Sequence, residues 1–191
     1  MPELLPLTPS QTVGPFFSFA LPYEGAQSLA GPETLGIRIL VHGTVRDGDG
    51  ATVPDALVEI WQANAAGRYA HPQDDRSDVL LDPAFIGFGR CATDAEGRYR
   101  FETIRPGSVP GPDARVQAPH LVVGVFARGL LKRLATRMYF EDEPLNVRDP
   151  ILALVDPARR TTLLAVYEAA GHSYRFDIVL QGASETVFFA C

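Results

Sequence analysis

Short apolar runs separated by turn residues dominate the chain and predict β-strands rather than helices. The first clear strand covers residues 37–45, where apolar and polar positions alternate in the second half, and another covers 56–63. The Asp-Gly-Asp-Gly segment at 47–50 predicts a turn between them, because Asp and Gly tolerate positive φ. Residues 37–63 are therefore expected to form two β-strands joined by a turn, as in an all-β protein.

Three later segments continue this pattern. Residues 99–104 and 174–180 alternate cleanly, and residues 120–126 form a nearly continuous apolar run that is typical of a buried strand. Residues 162–170 fit a strand or a short helix equally well, and residues 64–90 predict a long loop rich in Asp and Pro. We therefore expect an antiparallel β-sandwich with long loops and little helix.

The first 35 residues differ from the rest and are expected to form an N-terminal arm of one domain that covers 1–191. The arm is rich in Pro, Ser and Gly, which do not suit the interior of a helix. Phe16 and Phe17 would be unfavourable in water, so the arm is expected to pack either on its own body or on another chain.

Composition and charge narrow the class of protein. Hydrophobic residues make up 46% and charged residues 21%, which is typical of a globular domain rather than a disordered or membrane-embedded chain. A net charge of −6 disfavours general binding to nucleic acid or anionic membranes, although a local basic pocket remains compatible with it. Cys91 and Cys191 are too few for a disulfide framework or a thiolate metal site. With no signal-like or membrane-spanning run, cytoplasmic residence is the simplest expectation.

Part of the pattern has a generic meaning. Gly43 and Val45, the Asp94-to-Tyr99 turn and strand, and the Arg-Pro-Gly turn at 105–107 are arranged as in many prealbumin-like sandwich modules that only bind or carry other molecules. In such modules the glycines serve turns and the aromatic residues fill the core. From these residues alone, a binding or structural module is the simplest hypothesis, since fold does not determine function.

Flanking motifs point to a more specific family. They are Thr-Val-Gly-Pro-Phe-Phe at 12–17, Glu-Ile-Trp-Gln-Ala-Asn at 59–64, Gly-Arg-Tyr at 67–69, Phe-Gly-Arg with Thr-Asp within 88–94, Ala-Pro-His at 118–120, and Arg-Met-Tyr-Phe-Glu-Asp-Glu-Pro-Leu at 137–145. Together, over about residues 9–189, this ordered set resembles the intradiol ring-cleavage dioxygenases. The resemblance implies a chemistry in which catalytic chains hold a non-haem ferric ion with two tyrosinates and two histidines. The catecholic oxygens of the substrate bind that iron, and O2 is inserted between the two hydroxylated carbons.

The resemblance also assigns the four ligand positions, and two of them are aliphatic. They correspond to Tyr69, Val109, His120 and Val122. The family places its histidines as a His-x-His pair because residues i and i+2 of a strand share a face, but valine cannot coordinate a metal. Gln117 stands where catalytic chains place an arginine that faces the substrate. We therefore interpret Tyr69 and His120 as remnants of a degenerate site, most simply as hydrogen-bonded residues of the sandwich, in a chain that binds no metal.

This pattern is similar to that of the iron-free alpha chains of the family. The similarity implies a partner beta chain of like fold that carries Fe(III), a hetero-oligomer of alpha–beta units, and a small aromatic carboxylate as the substrate. The chain alone would then hold no catalytic residue. Its expected contribution to substrate binding comes from Arg133 and from Thr12, Gly14 and Pro15 of the arm. The arm and the apolar residues 187–189 are expected to dock on the partner.

Simpler interpretations of these residues stay open. Arg133 lies in a basic loop, and such loops are usually solvated, while Thr12, Gly14 and Pro15 could belong to an ordinary tethered arm. Three functional hypotheses follow. They are an alpha subunit that completes a partner's active site, a non-enzymatic prealbumin-like binding module, and a homomeric catechol-type dioxygenase, which the incomplete ligand set supports poorly.

Overall fold

Strands make up most of the regular structure in the computed structural model, which describes residue 14 and residues 17–190. One helical turn, α1 (Phe17–Ala20), precedes them. The strands are β1 (Arg38–Arg46), β2 (Leu57–Trp61), β3 (Phe88–Ala92), β4 (Arg98–Ile104), β5 (Val109–Pro110), β6 (Val116–Gln117), β7 (His120–Phe126), β8 (Leu134–Phe140), β9 (Leu164–Glu168), β10 (Ser173–Arg175) and β11 (Ile178–Val179). Short 3₁₀ helices cover Pro112–Ala114, Pro144–Arg148, Leu152–Leu154, Pro157–Leu163 and Ala169–Gly171.

Nine of these strands form one mixed sheet. Its order is β11-β1-β10-β9-β8-β7-β2-β3, and β4 pairs antiparallel with β1, while β5 and β6 form a separate two-stranded sheet. The predicted all-β class is confirmed. The purely antiparallel pairing is wrong, because β1 runs parallel to β10 and β11, and β8 runs parallel to β9. The long connection between β8 and β9, which holds three 3₁₀ helices, allows a parallel crossover that a hairpin could not make. The finer description as a prealbumin-like sandwich stays a prediction.

Most predicted strands are confirmed, and one is wrong in detail. The segment 174–180 is two strands, β10 and β11, which separate at Phe176. Gly43 packs so closely on Phe176 that a Cβ at position 43 would lie 1.9 Å from the Phe176 carbonyl oxygen. The Tyr99 hydroxyl donates a hydrogen bond to the same oxygen at 2.5 Å. The Phe176 carbonyl oxygen therefore accepts from a side chain. The undecided segment 162–170 is a strand, β9, between two 3₁₀ turns.

The main core lies on one face of the strands. In β7, Leu121, Val123 and Val125 are buried, and they pack with Phe101 of β4 and Met138 of β8. Each such side chain contributes about 1.5–3 kcal/mol of burial free energy. A smaller core on the other side of β7 and β8 contains Ala118, Tyr139, Leu152, Val155 and Leu163. The alternating β7 residues that face away from the main core are therefore free to build a site.

Both ends of the described chain pack on its own body. The arm runs along β4, where Leu29 N donates to Glu102 O at 2.8 Å, and Arg90 N of β3 donates to Ala26 O at 3.0 Å. Residues 187–189 are half-buried and pack against the two cores, and their docking on a partner stays a prediction. Within residues 17–190, no helix has the length and apolar character to cross a bilayer.

Candidate functional site

The outer face of β2, β7 and β8 carries the first wall of the site. Trp61 lies opposite Val122, and Val122 lies opposite Arg137, so the three side chains form a row across the sheet. Two residues earlier on β7, His120 lies opposite Tyr139. Because directly opposite residues project from the same face, this register brings an indole, an aliphatic side chain and a guanidinium next to an imidazole and a phenol.

The loop after β2 supplies the second wall. Asn64 organises it, since its carbonyl oxygen accepts hydrogen bonds from Gly67 N and Gly107 N, each at 2.9 Å. Further along, Tyr69 N donates to Asp74 Oδ2 at 2.8 Å. The Tyr69 ring stacks on Trp61 with centroids 5.7 Å apart and planes 13° from parallel. The loop therefore holds the phenol flat against the sheet residue.

Gly67 joins this loop to the segment that carries Val109. Its φ is +81°, and a Cβ at this position would stand 2.0 Å from the Ser108 carbonyl oxygen. Val109 itself begins β5 and lies opposite Gln117 of β6. Two loops that are distant in sequence are thus fixed at van der Waals contact, and a side chain at 67 would separate them.

The four positions that the family pattern singled out meet at one cavity of about 660 Å³. Tyr69, Val109, His120 and Val122 all line it. The other lining residues are Trp61, His71, Gln73, Asp74, Asp75, Arg76, Pro110, Gln117 and Arg137. Its size lies within the range of small-molecule sites.

The donor set of this cavity does not fit a ferric ion. Val109 and Val122 offer no donor atom, and Arg137 brings a positive charge that would repel a cation. Burial raises the pKa of Tyr69 above its ordinary value, so the phenolate that Fe(III) prefers is disfavoured. No group of three His, Cys, Asp or Glu side chains is placed to hold a metal in the described part of the chain. The cavity therefore lacks the set of donor atoms that a ferric ion needs.

His120 is held as a neutral acceptor. It is 4% exposed, and its Nδ1 lies 2.7 Å from the Ala118 carbonyl oxygen, which can only accept. Nδ1 therefore carries the ring proton, and Nε2 keeps its lone pair. Burial, with a smaller contribution from Arg137, lowers the pKa of His120 to about 4. The imidazole is thus uncharged at neutral pH.

This buried imidazole predicts an acid-sensitive fold. Because the folded pKa is about 4 and the ordinary value is 6.5, the unfolded chain binds a proton more readily between these values. Stability should fall as the pH falls from 6.5 towards 4, by roughly 3 kcal/mol in total from this group. The free energy of unfolding, measured with denaturant at several pH values in this range, should depend less on pH in His120→Gln than in the wild type. An equal dependence on pH in the two proteins would contradict the assignment of this effect to His120.

Asp149 anchors the site from behind. It is 1% exposed, and its carboxylate accepts hydrogen bonds from Ala118 N at 2.8 Å, Tyr139 OH at 3.1 Å, Ile151 N at 2.9 Å and Leu152 N at 2.7 Å. Ala118 precedes β7 and Tyr139 belongs to β8. A single carboxylate thereby fixes the two strands that carry His120 and Arg137 against the connection to β9.

Arg137 is a charged residue of this cavity that the sequence did not assign to a site. Its Nη1 donates to Gln117 Oε1 at 2.6 Å and, more weakly, to Tyr139 OH at 3.4 Å. The sequence pattern did not predict β8 as a strand, and the alternation along β8 is what places Arg137 and Tyr139 on the outer face. Gln117 stands where catalytic chains have an arginine, and here it accepts a bond from the guanidinium of a neighbouring strand.

The predicted substrate contacts lie elsewhere or outside the described residues. Arg133 is exposed and covers Gly124 of β7, where an added Cβ would stand 2.3 Å from Arg133 Nε. It borders a separate cavity of about 230 Å³ together with Phe188 and Phe189. Gly14 has φ +70°, which favours glycine, and no atom of the described residues lies within 4 Å of its Cβ position. Thr12 and Pro15 lie outside the described residues, and the role of all four positions stays a prediction.

Known proteins are similar in sequence to this chain over most of its length. A family model described as "Dioxygenase" matches residues 14–182. The chain is 43% identical over 202 residues to the protocatechuate 3,4-dioxygenase alpha chain of Pseudomonas putida, with 98% of each chain covered. It is 47% identical over 162 residues to the protocatechuate 3,4-dioxygenase beta chain of Burkholderia cepacia, which covers 81% of this chain and 68% of that one.

A solved structure shows the same architecture. The dioxygenase domain of a dioxygenase–carbohydrate-binding protein fusion from Streptomyces sp. SirexAA-E superimposes with a TM-score of 0.63 at 31% identity. The match covers 92% of this chain and 99% of that domain. The likeness therefore extends over nearly the whole chain.

Proposed function

The chain belongs to the intradiol ring-cleavage dioxygenases, and we propose that it is the iron-free alpha subunit of a protocatechuate 3,4-dioxygenase. It would pair with an iron-bearing beta chain in alpha–beta units in the cytoplasm. The working site would lie on the partner's Fe(III), with this chain contributing to substrate binding. We also propose that residues 1–191 act as one domain whose mixed sheet is a variant of the prealbumin-like sandwich.

The residues that line the cavity are the main support for this proposal. Sequence identity alone does not distinguish an alpha from a beta subunit, because the chain is similar to both an alpha chain and a beta chain. Two observations favour the alpha subunit. The alpha-chain likeness extends from end to end in both proteins, and two of the four ligand positions are Val109 and Val122. A chain that supplied the iron itself would need donor atoms at those positions.

The proposed reaction joins a catechol that carries a carboxylate with O2. Protocatechuate would be cleaved between its two hydroxylated carbons to 3-carboxy-cis,cis-muconate, and the two oxygen atoms of O2 would enter the two new carboxylates. This chain would take no part in bond-making. Its share would be to hold the substrate's existing carboxylate in register, which affects orientation more than the chemical step.

Arg133 is the strongest candidate for that contact. It is exposed, and it lies over Gly124, a residue with no side chain, so its guanidinium can lie flat on β7 and face outward. An arginine offers a planar donor fork that keeps its charge when partly buried. A charge-assisted bond to a carboxylate contributes about 1.5–3 kcal/mol, which suits positioning. The arm positions Thr12, Gly14 and Pro15 would complete this contact.

The test is co-expression of this chain with an iron-bearing beta-type chain. We expect a stable complex that cleaves protocatechuate, in which Arg133→Ala raises KM about tenfold or more and changes kcat less. Lys132→Ala, in the same exposed loop, is the matched control and should leave KM unchanged. Gly124→Ala should raise KM to an intermediate value, because the new methyl group displaces the Arg133 guanidinium.

Two outcomes would separate the parts of this proposal. An unchanged KM in Arg133→Ala would remove Arg133 from the substrate site and leave the subunit assignment intact. Failure of the two chains to copurify would reject the alpha-subunit assignment and favour the alternative, a non-enzymatic binding module with the same fold.

A further inference from the structure

The large cavity contains a guanidinium, that of Arg137, which forms no direct ion pair with a carboxylate of the described residues. The buried Asp149 carboxylate accepts from the Tyr139 hydroxyl at 3.1 Å instead. The Arg137 guanidinium is half-buried, and the acceptors of its hydrogen bonds, Gln117 Oε1 and Tyr139 OH, are neutral groups. Among residues 14 and 17–190, no carboxylate forms an ion pair with it. Of the two acids that line the cavity, Asp74 is already paired with Arg76 at 2.6 Å, and Asp75 is exposed.

A half-buried guanidinium without a counter-charge is unfavourable unless something else supplies one. Arginine has five N–H donors, and the two bonds seen here engage one nitrogen, Nη1. The remaining donors can form the forked pair with a carboxylate that is the strongest hydrogen-bonding arrangement available to this side chain. Arg137 is therefore well suited to bind a carboxylate that enters the cavity from solvent.

The walls define the shape of that ligand. Trp61 and Tyr69 stack nearly parallel, and His71 meets the indole edge-on with centroids 6.4 Å apart. Val109 and Val122, at two of the four ligand positions, add apolar side chains to the same lining. A lining of aromatic and aliphatic side chains favours a planar, apolar ring.

A further side chain of the lining supplies an acceptor. His120 donates through Nδ1 to the Ala118 carbonyl oxygen, so its Nε2 can accept a hydrogen bond from a hydroxyl group. The cavity thus offers a cationic fork, aromatic and aliphatic side chains, and one imidazole acceptor. We propose that this cavity is a metal-free binding site for a small hydroxylated aromatic carboxylate, held by Arg137. This inference goes beyond the proposed function, which places turnover on the partner's iron.

The experiment titrates the alpha–beta complex with 4-hydroxybenzoate, which has a single hydroxyl group and cannot be cleaved as a catechol. Calorimetry counts all binding sites, while the visible tyrosinate-to-iron band reports on the partner's site alone. We expect two sites per alpha–beta unit, only one of which follows the iron band. We call the site that does not change the iron band the silent site. In Arg137→Gln, the affinity of the silent site for 4-hydroxybenzoate should fall about tenfold or more, while the titration followed by the iron band should be unchanged.

Three controls test the interpretation. Arg46→Gln removes an exposed arginine of β1 that does not line the cavity, and it should retain both sites. Val122→Phe leaves Arg137 in place but fills the cavity, so it should abolish the silent site even if Arg137→Gln does not fold. 4-Hydroxybenzamide, which has no charge, should bind the silent site at least tenfold more weakly than the acid.

A single site that follows the iron band would overturn the inference while leaving the proposed function untouched. So would a silent site whose affinity is the same in Arg137→Gln and Arg46→Gln. Loss of the complex itself would instead count against the subunit assignment.

Discussion

Replacing Gly67 by alanine is expected to lower the free energy of unfolding by about 3–5 kcal/mol. The backbone at this residue has φ +81°, which is unfavourable for any residue with a Cβ. The methyl group would also overlap the Ser108 carbonyl oxygen at 2.0 Å, and backbone atoms cannot rotate away as a side chain can. The loops that carry Tyr69 and Val109 would have to separate. Denaturant unfolding of the full chain, followed by circular dichroism, measures the effect.

Gly50→Ala separates the two causes. Gly50 has φ +83°, but nothing lies within 4 Å of its Cβ position. It shares the backbone strain without the overlap and should lose only about 1–2 kcal/mol. Equal losses in the two variants would show that the contact between the loops contributes nothing beyond the strained backbone.

The second large effect is expected from Asp149→Ala, with a loss of about 3–5 kcal/mol. The substitution removes the acceptor for three backbone N–H groups and one phenol at a residue that is 1% exposed. A buried donor left without a partner costs about 1–3 kcal/mol. Because Ala118 and Tyr139 lose their common anchor, the affinity of the Arg137 site for 4-hydroxybenzoate should fall as well.

Asp156→Ala is the matched control for this effect. Its carboxylate also accepts a bond from a nearby backbone N–H, that of Ala158 at 2.9 Å, but Asp156 is exposed. Water can replace the lost acceptor there, so the loss should be within about 1 kcal/mol. If both variants lost equally little, Asp149 would be an ordinary cap rather than the anchor of β7 and β8.

Strand positions were predictable where one face of the strand is polar or where the whole strand is buried. β1, β2, β4 and β7 follow these two patterns. β3 was missed because it contains Gly89 and Arg90, and the glycine is required by the close approach of the arm, whose Ala26 carbonyl oxygen would lie 2.8 Å from a Cβ there. β8 was missed because its outward positions, Arg137 and Tyr139, are occupied by long side chains that tertiary contacts cover.

The parallel pairs could not be inferred from local pattern. Whether β9 pairs with β8 in the parallel or antiparallel sense depends on the path of residues 141–163, whose 3₁₀ turns pack on a second core. Likewise, the family pattern could indicate Tyr69, Val109, His120 and Val122, but not Arg137. Its position in the cavity follows from the pairing of β8 with β7, which depends on contacts distant in sequence.

The stacked pair of Trp61 and Tyr69 has an experimental consequence. Trp61 is the chain's single tryptophan, and it lies in the wall of the cavity. The intrinsic fluorescence of this chain under excitation selective for indole therefore originates from one place, between a phenol and an imidazole. Changes in emission wavelength or quenching by small solutes would report directly on that pocket, so the chain carries its own spectroscopic label where an occupant would bind.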